Sequence, residues 1–198
     1  ALRWIVSGHV PLSSGFETMQ FLAWSILLFT LLVLNKFPII MGFAPLLASF
    51  AMLVAMIGSG SPRITPLMPV LQSPLLSVHV MVIMFSYALF ALMMLIGIQG
   101  LVMHWKGDAV REESFAALSH TLLYPAVFLL TIGIFVGAVW ANVSWGSYWS
   151  WDPKEVWALI TMFVYMAPLH SSSLKSFRKP TFFHVYCIVA FLSVLMTY

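Results

Sequence analysis

LSVHVMVIMFSYALFALMMLIGIQGLVM, residues 76–103, contains no Asp, Glu, Lys or Arg. A helix of that length, at 1.5 Å per residue, runs about 42 Å and crosses a ~30 Å hydrocarbon core with tilt or overhang. The rest of the chain has the same character. Hydrophobic residues make up 62% and charged ones 8%, against roughly a quarter charged in soluble domains. A soluble core cannot absorb that much apolar surface, so an all-α polytopic membrane protein is expected. The formal charge of +3 is small and scattered, which gives no support to nucleic-acid binding. The single cysteine, Cys187, lies in an apolar run and excludes disulfides within the chain.

Working toward the N-terminus, residues 58–75 hold Gly58, Gly60, Pro62, Pro66, Pro69 and Pro74, too much proline for a helix. Before them come a span over 39–57, a tight turn at Asn35-Lys36-Phe37-Pro38 and a first span over 17–34. Residues 1–16 form a turn-rich lead-in at the water boundary. In the other direction, 105–119 carries five charges and reads as a polar loop with a short amphipathic helix at most. A fourth span over 121–141 follows, then an aromatic strip. A fifth span over 153–170, a basic loop over 171–180 and a sixth span from Thr181 complete about six membrane helices in one domain, 1–198. The start lacks a signal-peptide pattern, and both ends are expected to continue into a longer protein.

Basic residues orient the bundle. Lys36, Lys106, Arg111, Lys175, Arg178 and Lys179 fall on one side, and Arg3, Arg63 and Lys154 on the other. The positive-inside rule assigns the first set to the cytoplasm. The lead-in, the proline-rich loop and the aromatic strip are then on the outer face.

The strip reads Trp145-Gly146-Ser147-Tyr148-Trp149-Ser150-Trp151-Asp152-Pro153-Lys154-Glu155. Gly146 and the serines keep it from reading as a helix. Trp and Tyr suit a membrane boundary and equally a planar ligand. A single Trp here is best read as an interface residue; the cluster exceeds that. Asp152 as cap, Pro153 at the first helical position and Glu155 reaching back predict a capping box at the start of the fifth span.

Six histidines accompany the strip. His79 falls at the same depth as the strip. An imidazole beside aromatic walls is what a haem site requires, although a lone histidine at a span end is more often an interfacial hydrogen-bonder. His170 lies about 26 Å down a helix from Pro153, at the opposite end, and marks a separate inner site if it marks any. His104 and His120 flank the charged loop and read as solvated or interfacial, His184 as interfacial on the cytoplasmic side, and His9 belongs to the lead-in. No helix carries an acidic set for metal transport or proton pumping.

The strip resembles the tryptophan-rich "WWD" signature of haem-handling proteins in cytochrome c biogenesis, and most of all the CcsA (ResC) branch. Gly133 followed by Gly137-Ala138-Val139-Trp140-Ala141, Leu71-Gln72-Ser73 before His79, Leu169-His170, and Arg3-Trp4 through Gly8-His9-Val10-Pro11 and Gly15-Phe16-Glu17 carry the same resemblance. It covers essentially the whole chain. It implies a membrane segment that delivers haem b to the outer face of a bacterial inner (plasma) or thylakoid membrane, the lumenal side in the latter. There haem is attached to Cys-x-x-Cys-His of apocytochrome c, so the segment would work as part of a synthase (haem lyase). It implies that Trp145, Gly146, Tyr148, Trp149, Trp151 and Asp152 hold haem, that His79 is an external axial ligand, and that His170 belongs to a membrane-embedded entry site. A CcsB (ResB) subunit or fused half is the implied partner. The second external histidine and the partner of His170 are expected outside this chain. Arg63 or Lys154 could pair with the haem propionates. The alternative is a CcmC-type exporter that loads haem onto a carrier without attaching it.

Overall fold

The computed structural model describes residues 2–33, 40–58 and 68–197. These form helices α1 (Leu2–Ser7), α2 (Gly15–Val33), α3 (Ile40–Ile57), α4 (Pro74–Trp105), α5 (Ala109–Trp145), α6 (Pro153–Met166) and α7 (Pro180–Thr197), with short 3₁₀ turns at Pro69–Gln72, Ala167–His170 and Lys175–Arg178. No strand occurs among the described residues. Four helices, α2, α4, α5 and α7, are long and apolar enough to cross a membrane. The chain is an all-α integral membrane protein.

Residues 76–103, within α4, are the centre of the bundle. In α4, 67% of the most apolar window is buried, against 28–33% in the other three spanning helices. One face of α4, with Tyr87, Phe90 and Met93, packs on Leu130 of α5 and on Tyr165 and Phe183. Phe90 stacks on the Tyr165 ring at 3.7 Å. The opposite face, with Ala88, Ala91, Leu92 and Ile96, belongs to a second core with Ala23 and Ile26 of α2 and Ala44, Ala48 and Ala51 of α3. Ala44, Ala48, Ala51 and Ala55 share one face of α3 and are all buried. Helices in lipid gain from close backbone approach, and small residues at that spacing allow it.

The polar loop expected at 105–119 reduces to Lys106–Asp108. From Ala109 the chain is already helical, and α5 continues for 37 residues to Trp145. Its first third is amphipathic rather than disordered: Glu112, Phe115, Ala116 and Ser119 are buried while Arg111, Glu113 and Ala117 are exposed. Asp108 caps it by accepting from the Arg111 N–H at 3.1 Å. Good helix formers and a cap outweigh the charges, of which Arg111 and Glu113 sit on the outward face while Glu112 is buried with partners. Pro125 lies inside this helix; its ring removes one backbone donor without ending the helix.

Expectations for the histidines around that turn change with it. His184 is fully buried, not interfacial, and donates from Nε2 to the Glu112 carbonyl at 3.1 Å. The buried Glu112 carboxylate accepts from His104 Nδ1 at 2.9 Å and from the Thr181 hydroxyl at 2.6 Å. His120 stacks on Phe183 at 3.9 Å. A carboxylate that loses water must find donors, and here α4 and α7 supply them at the end of the bundle opposite the strip.

The fifth span also differs in form. α6 stops at Met166, and Ala167–His170 tighten into a 3₁₀ turn. Pro168 explains the stop, since it has no N–H to continue the ladder; Ala167 before it keeps helical backbone and still donates to the Phe163 carbonyl. Asn35–Pro38 and most of the proline-rich stretch lie outside the described residues.

Candidate functional site

A cavity of about 590 Å³ opens at the strip end of the bundle, within the range of small-molecule sites. Its floor is α4 with His79, Val80, Ile83, Met84 and Tyr87. α5 contributes Gly137, Trp140 and Ala141, the strip contributes Tyr148, Trp149 and Asp152, and the start of α6 contributes Lys154 and Glu155. The lead-in closes the remaining side with Leu12, Ser13, Ser14, Gly15 and Thr18.

His79 is held at one ring nitrogen. Nδ1 donates to the Gly133 carbonyl of α5 at 2.7 Å, which fixes the tautomer with the lone pair on Nε2. The ring packs against Gly137 so closely that an added Cβ would come within 2.5 Å of it. A glycine at 137 is therefore required for the imidazole to stand where it does. An imidazole oriented through Nδ1 with Nε2 available is the usual arrangement of a metal-ligating histidine.

Two tryptophans present unanswered donors. The Nε1 atoms of Trp140 and Trp149 are buried and have no hydrogen-bond partner, and both residues line the cavity. Indole offers a donor only, and a buried unpaired donor is costly. The arrangement calls for a ligand with acceptor groups beside a flat apolar body.

The strip itself is built by its two helix ends. Gly146 terminates α5 in the left-handed region at φ 80, its N–H returning to the Asn142 carbonyl at 2.9 Å. Asp152 then starts α6, accepting from the Lys154 N–H at 2.7 Å and the Glu155 N–H at 3.0 Å. Glu155 reaches back to the N–H groups of Ser150 at 2.8 Å and Asp152 at 3.4 Å. The capping box is present as the sequence predicts. Between these ends Trp151 holds φ 61, an outlier for a bulky residue that costs on the order of 1–3 kcal/mol.

The residues singled out in the sequence divide accordingly. His79, Tyr148, Trp149 and Asp152 are on the cavity wall. Trp145 and Trp151 stand outside it, 67% and 73% exposed, and brace it edge-on: Trp145 against Trp140 at 6.2 Å and Trp151 against Trp149 at 5.9 Å. Gly146 shapes the turn. Lys154 lines the cavity, whereas Arg63 lies outside the described residues. His170 is exposed, bonded through Nδ1 to the Met166 carbonyl at 3.2 Å, and is not on this wall. Trp140, quoted only within the Gly137–Ala141 motif, the lead-in residue Ser13 and Thr18 of α2 have no site role in the sequence reading. Trp140 reads as one more apolar residue of a span, and only the close of the α4–α5 hairpin over His79 reveals its donor.

A family model described as cytochrome C assembly protein matches residues 12–198. The chain is 38% identical over 212 aligned residues to a cytochrome c biogenesis protein CcsA of Chlamydomonas reinhardtii, covering 100% of this chain and 59% of that protein. It is 35% identical to Protein NrfI of Wolinella succinogenes, covering 100% of this chain and 22% of that protein. A CcsA of Synechococcus sp. (strain CC9902) is 36% identical over 86% of this chain and 67% of its own length. The chain thus spans between about a fifth and two thirds of these relatives.

Proposed function

Since the chain belongs to the family of cytochrome c assembly proteins, we propose that its cavity holds haem at the outer face of the membrane for covalent attachment to apocytochrome c. The observation that carries this reading is the wall pairing a Nδ1-anchored His79 with two unanswered indole donors. Haem matches both: iron takes an axial imidazole, and propionates are acceptors for indole N–H groups. The residues present fit the group. Lys154, on the same wall, supplies a positive charge near the carboxylates. The aromatic and apolar lining accommodates the macrocycle.

In this reading His79 supplies one axial ligand through Nε2, and no second imidazole lines the cavity among the described residues. The opposing ligand is expected from chain beyond this segment or from a partner of the CcsB type. Haem is treated as substrate, and the protein's own contribution is orientation: iron held at His79, propionates at the tryptophan edge, vinyl groups presented to the two thiols of Cys-x-x-Cys-His. Positioning of this kind lowers the barrier without a protein nucleophile. The basic-residue bias supports a strip end facing the periplasm or lumen. His170, at the far end, is proposed to belong to an inner site through which haem enters.

Replacement of His79 by Ala in the full-length protein should remove most of the bound-haem absorbance and stop holocytochrome maturation, with the protein still in the membrane. Unchanged haem content and maturation would overturn the assignment. Maturation that requires a separate haem-carrier protein would instead favour the exporter reading.

A further inference from the structure

Next to the large cavity is a second, smaller one of about 330 Å³, lined by Trp4, Ser7, His9, Ser13, Gln72 and Ser77 among others. Ser13 lines both cavities. The lead-in folds onto itself to build this wall. Arg3 Nε pairs with the buried Glu17 at 2.6 Å, and Glu17 in turn accepts from the Ser13 N–H at 3.0 Å and lies 3.4 Å from the Ser13 hydroxyl. His9 Nδ1 donates to the Val10 carbonyl at 3.1 Å and approaches Ser13 Oγ at 3.2 Å. A carbonyl can only accept, so the Nδ1 proton is fixed and the lone pair of the neutral ring lies on Nε2. No hydrogen bond is made by that nitrogen among the described residues. The charged groups around it there are Glu17 and Arg3, which neutralise each other. A partly buried imidazole is thus oriented, with Nε2 open, beside a polar pocket that shares a wall with the proposed haem cavity.

We propose that His9 is the proton-transfer residue of thioether formation, and that the pocket around it receives the cysteine-bearing peptide. This rests on the haem-attachment reading given above. Addition of a thiol to a vinyl group is redox-neutral and needs one proton moved twice. His9 Nε2 takes the proton from the cysteine S–H. The sulfur forms a bond to the inner vinyl carbon as the C=C π bond breaks, and the imidazolium returns the proton to the terminal carbon, which becomes a methyl. Only a small fraction of an ordinary thiol is ionised near neutrality, so a base within reach contributes directly to rate, typically by 10²–10⁴-fold.

The test compares wild type with His9→Gln in the full-length protein in its membrane, haem-loaded and reduced, given a synthetic Cys-x-x-Cys-His peptide. His9→Gln should keep its bound-haem absorbance and bind the peptide, measured on haem-free protein, within about twofold of wild type. Its single-turnover rate of thioether formation should fall about 100-fold, and the decline of the rate toward acid pH should flatten. An unchanged rate and pH profile would overturn the proposal, as would loss of peptide binding in proportion to rate, which would mean a structural role. If His9→Gln does not reach the membrane, Ser13→Ala replaces it: a rate reduced about tenfold at unchanged peptide affinity supports the proposal, and an unchanged rate overturns it. His79→Ala run in parallel separates the two readings. If it retains haem and attachment, the cavity assignment fails whatever His9 does; if it loses them while His9→Gln is silent, only the inference about His9 fails.

Discussion

At the residue scale the proposed site depends on small groups that make room for large ones. Gly137 is the clearest case, because any Cβ there meets the His79 ring. Gly137→Ala should displace the imidazole while leaving the helix intact, lowering haem affinity about 10- to 100-fold, as loss of a ligand-orienting contact does. Titration of the detergent-solubilised protein with haem would measure it. Trp140→Phe retains the ring and removes the donor. It should weaken haem binding by about 1 kcal/mol, the net worth of a hydrogen bond, roughly a fivefold change. A metalloporphyrin lacking the propionate side chains should bind both proteins nearly equally. His79 and Trp149 could be singled out in the sequence because a histidine in an apolar run and a tryptophan cluster are both compositional anomalies. Trp140 could not, since a tryptophan in a span is ordinary until a neighbouring helix decides what its N–H faces.

At the element scale the strip is a joint between α5 and α6, and its shape comes from the two helix ends rather than from the aromatic rings. Gly146 closes one helix and the Asp152–Glu155 box opens the next, leaving Trp151 in a conformation it would not adopt alone. Asp152→Ala removes the acceptor for two N–H groups and should destabilise α6 by about 1 kcal/mol, read as faster backbone hydrogen exchange over 154–157. The capping box was legible in sequence because capping is local: acceptor, proline and glutamate lie within four positions. The extent of α5 was not. The charges of 109–120 suggest a loop to composition, but Arg111 and Glu113 occupy the outward face of a helix whose other face packs and buries Glu112, and that division depends on where α4 and α7 stand.

At the scale of the whole molecule, α4 is the post on which the other helices are hung, and the two ends of the bundle are fastened differently. The strip end is an open cavity with mainly apolar and aromatic walls and a few polar groups. The opposite end is closed by Glu112, which ties α4 through His104 and α7 through Thr181 to the start of α5. Glu112→Ala should strand those donors and cost about 1–3 kcal/mol, lowering the thermal midpoint in detergent, whereas the spectrum of haem at the strip end should persist in the protein that remains folded. The sequence by itself determined that this is a bundle of membrane helices, where most of them run, and that a strip of tryptophans joins two of them. Those properties follow from hydropathy and from capping, which act over a few neighbouring residues. Only the tertiary structure decided which rings line a cavity, which brace it from behind, and that His104, Glu112, Thr181 and His184 meet. These depend on how helices far apart in sequence rotate and slide against one another. In a chain this apolar, nearly every face is hydrophobic enough to be buried, so close approach at alanines and glycines, and the need of each buried polar group for a partner, choose the arrangement instead.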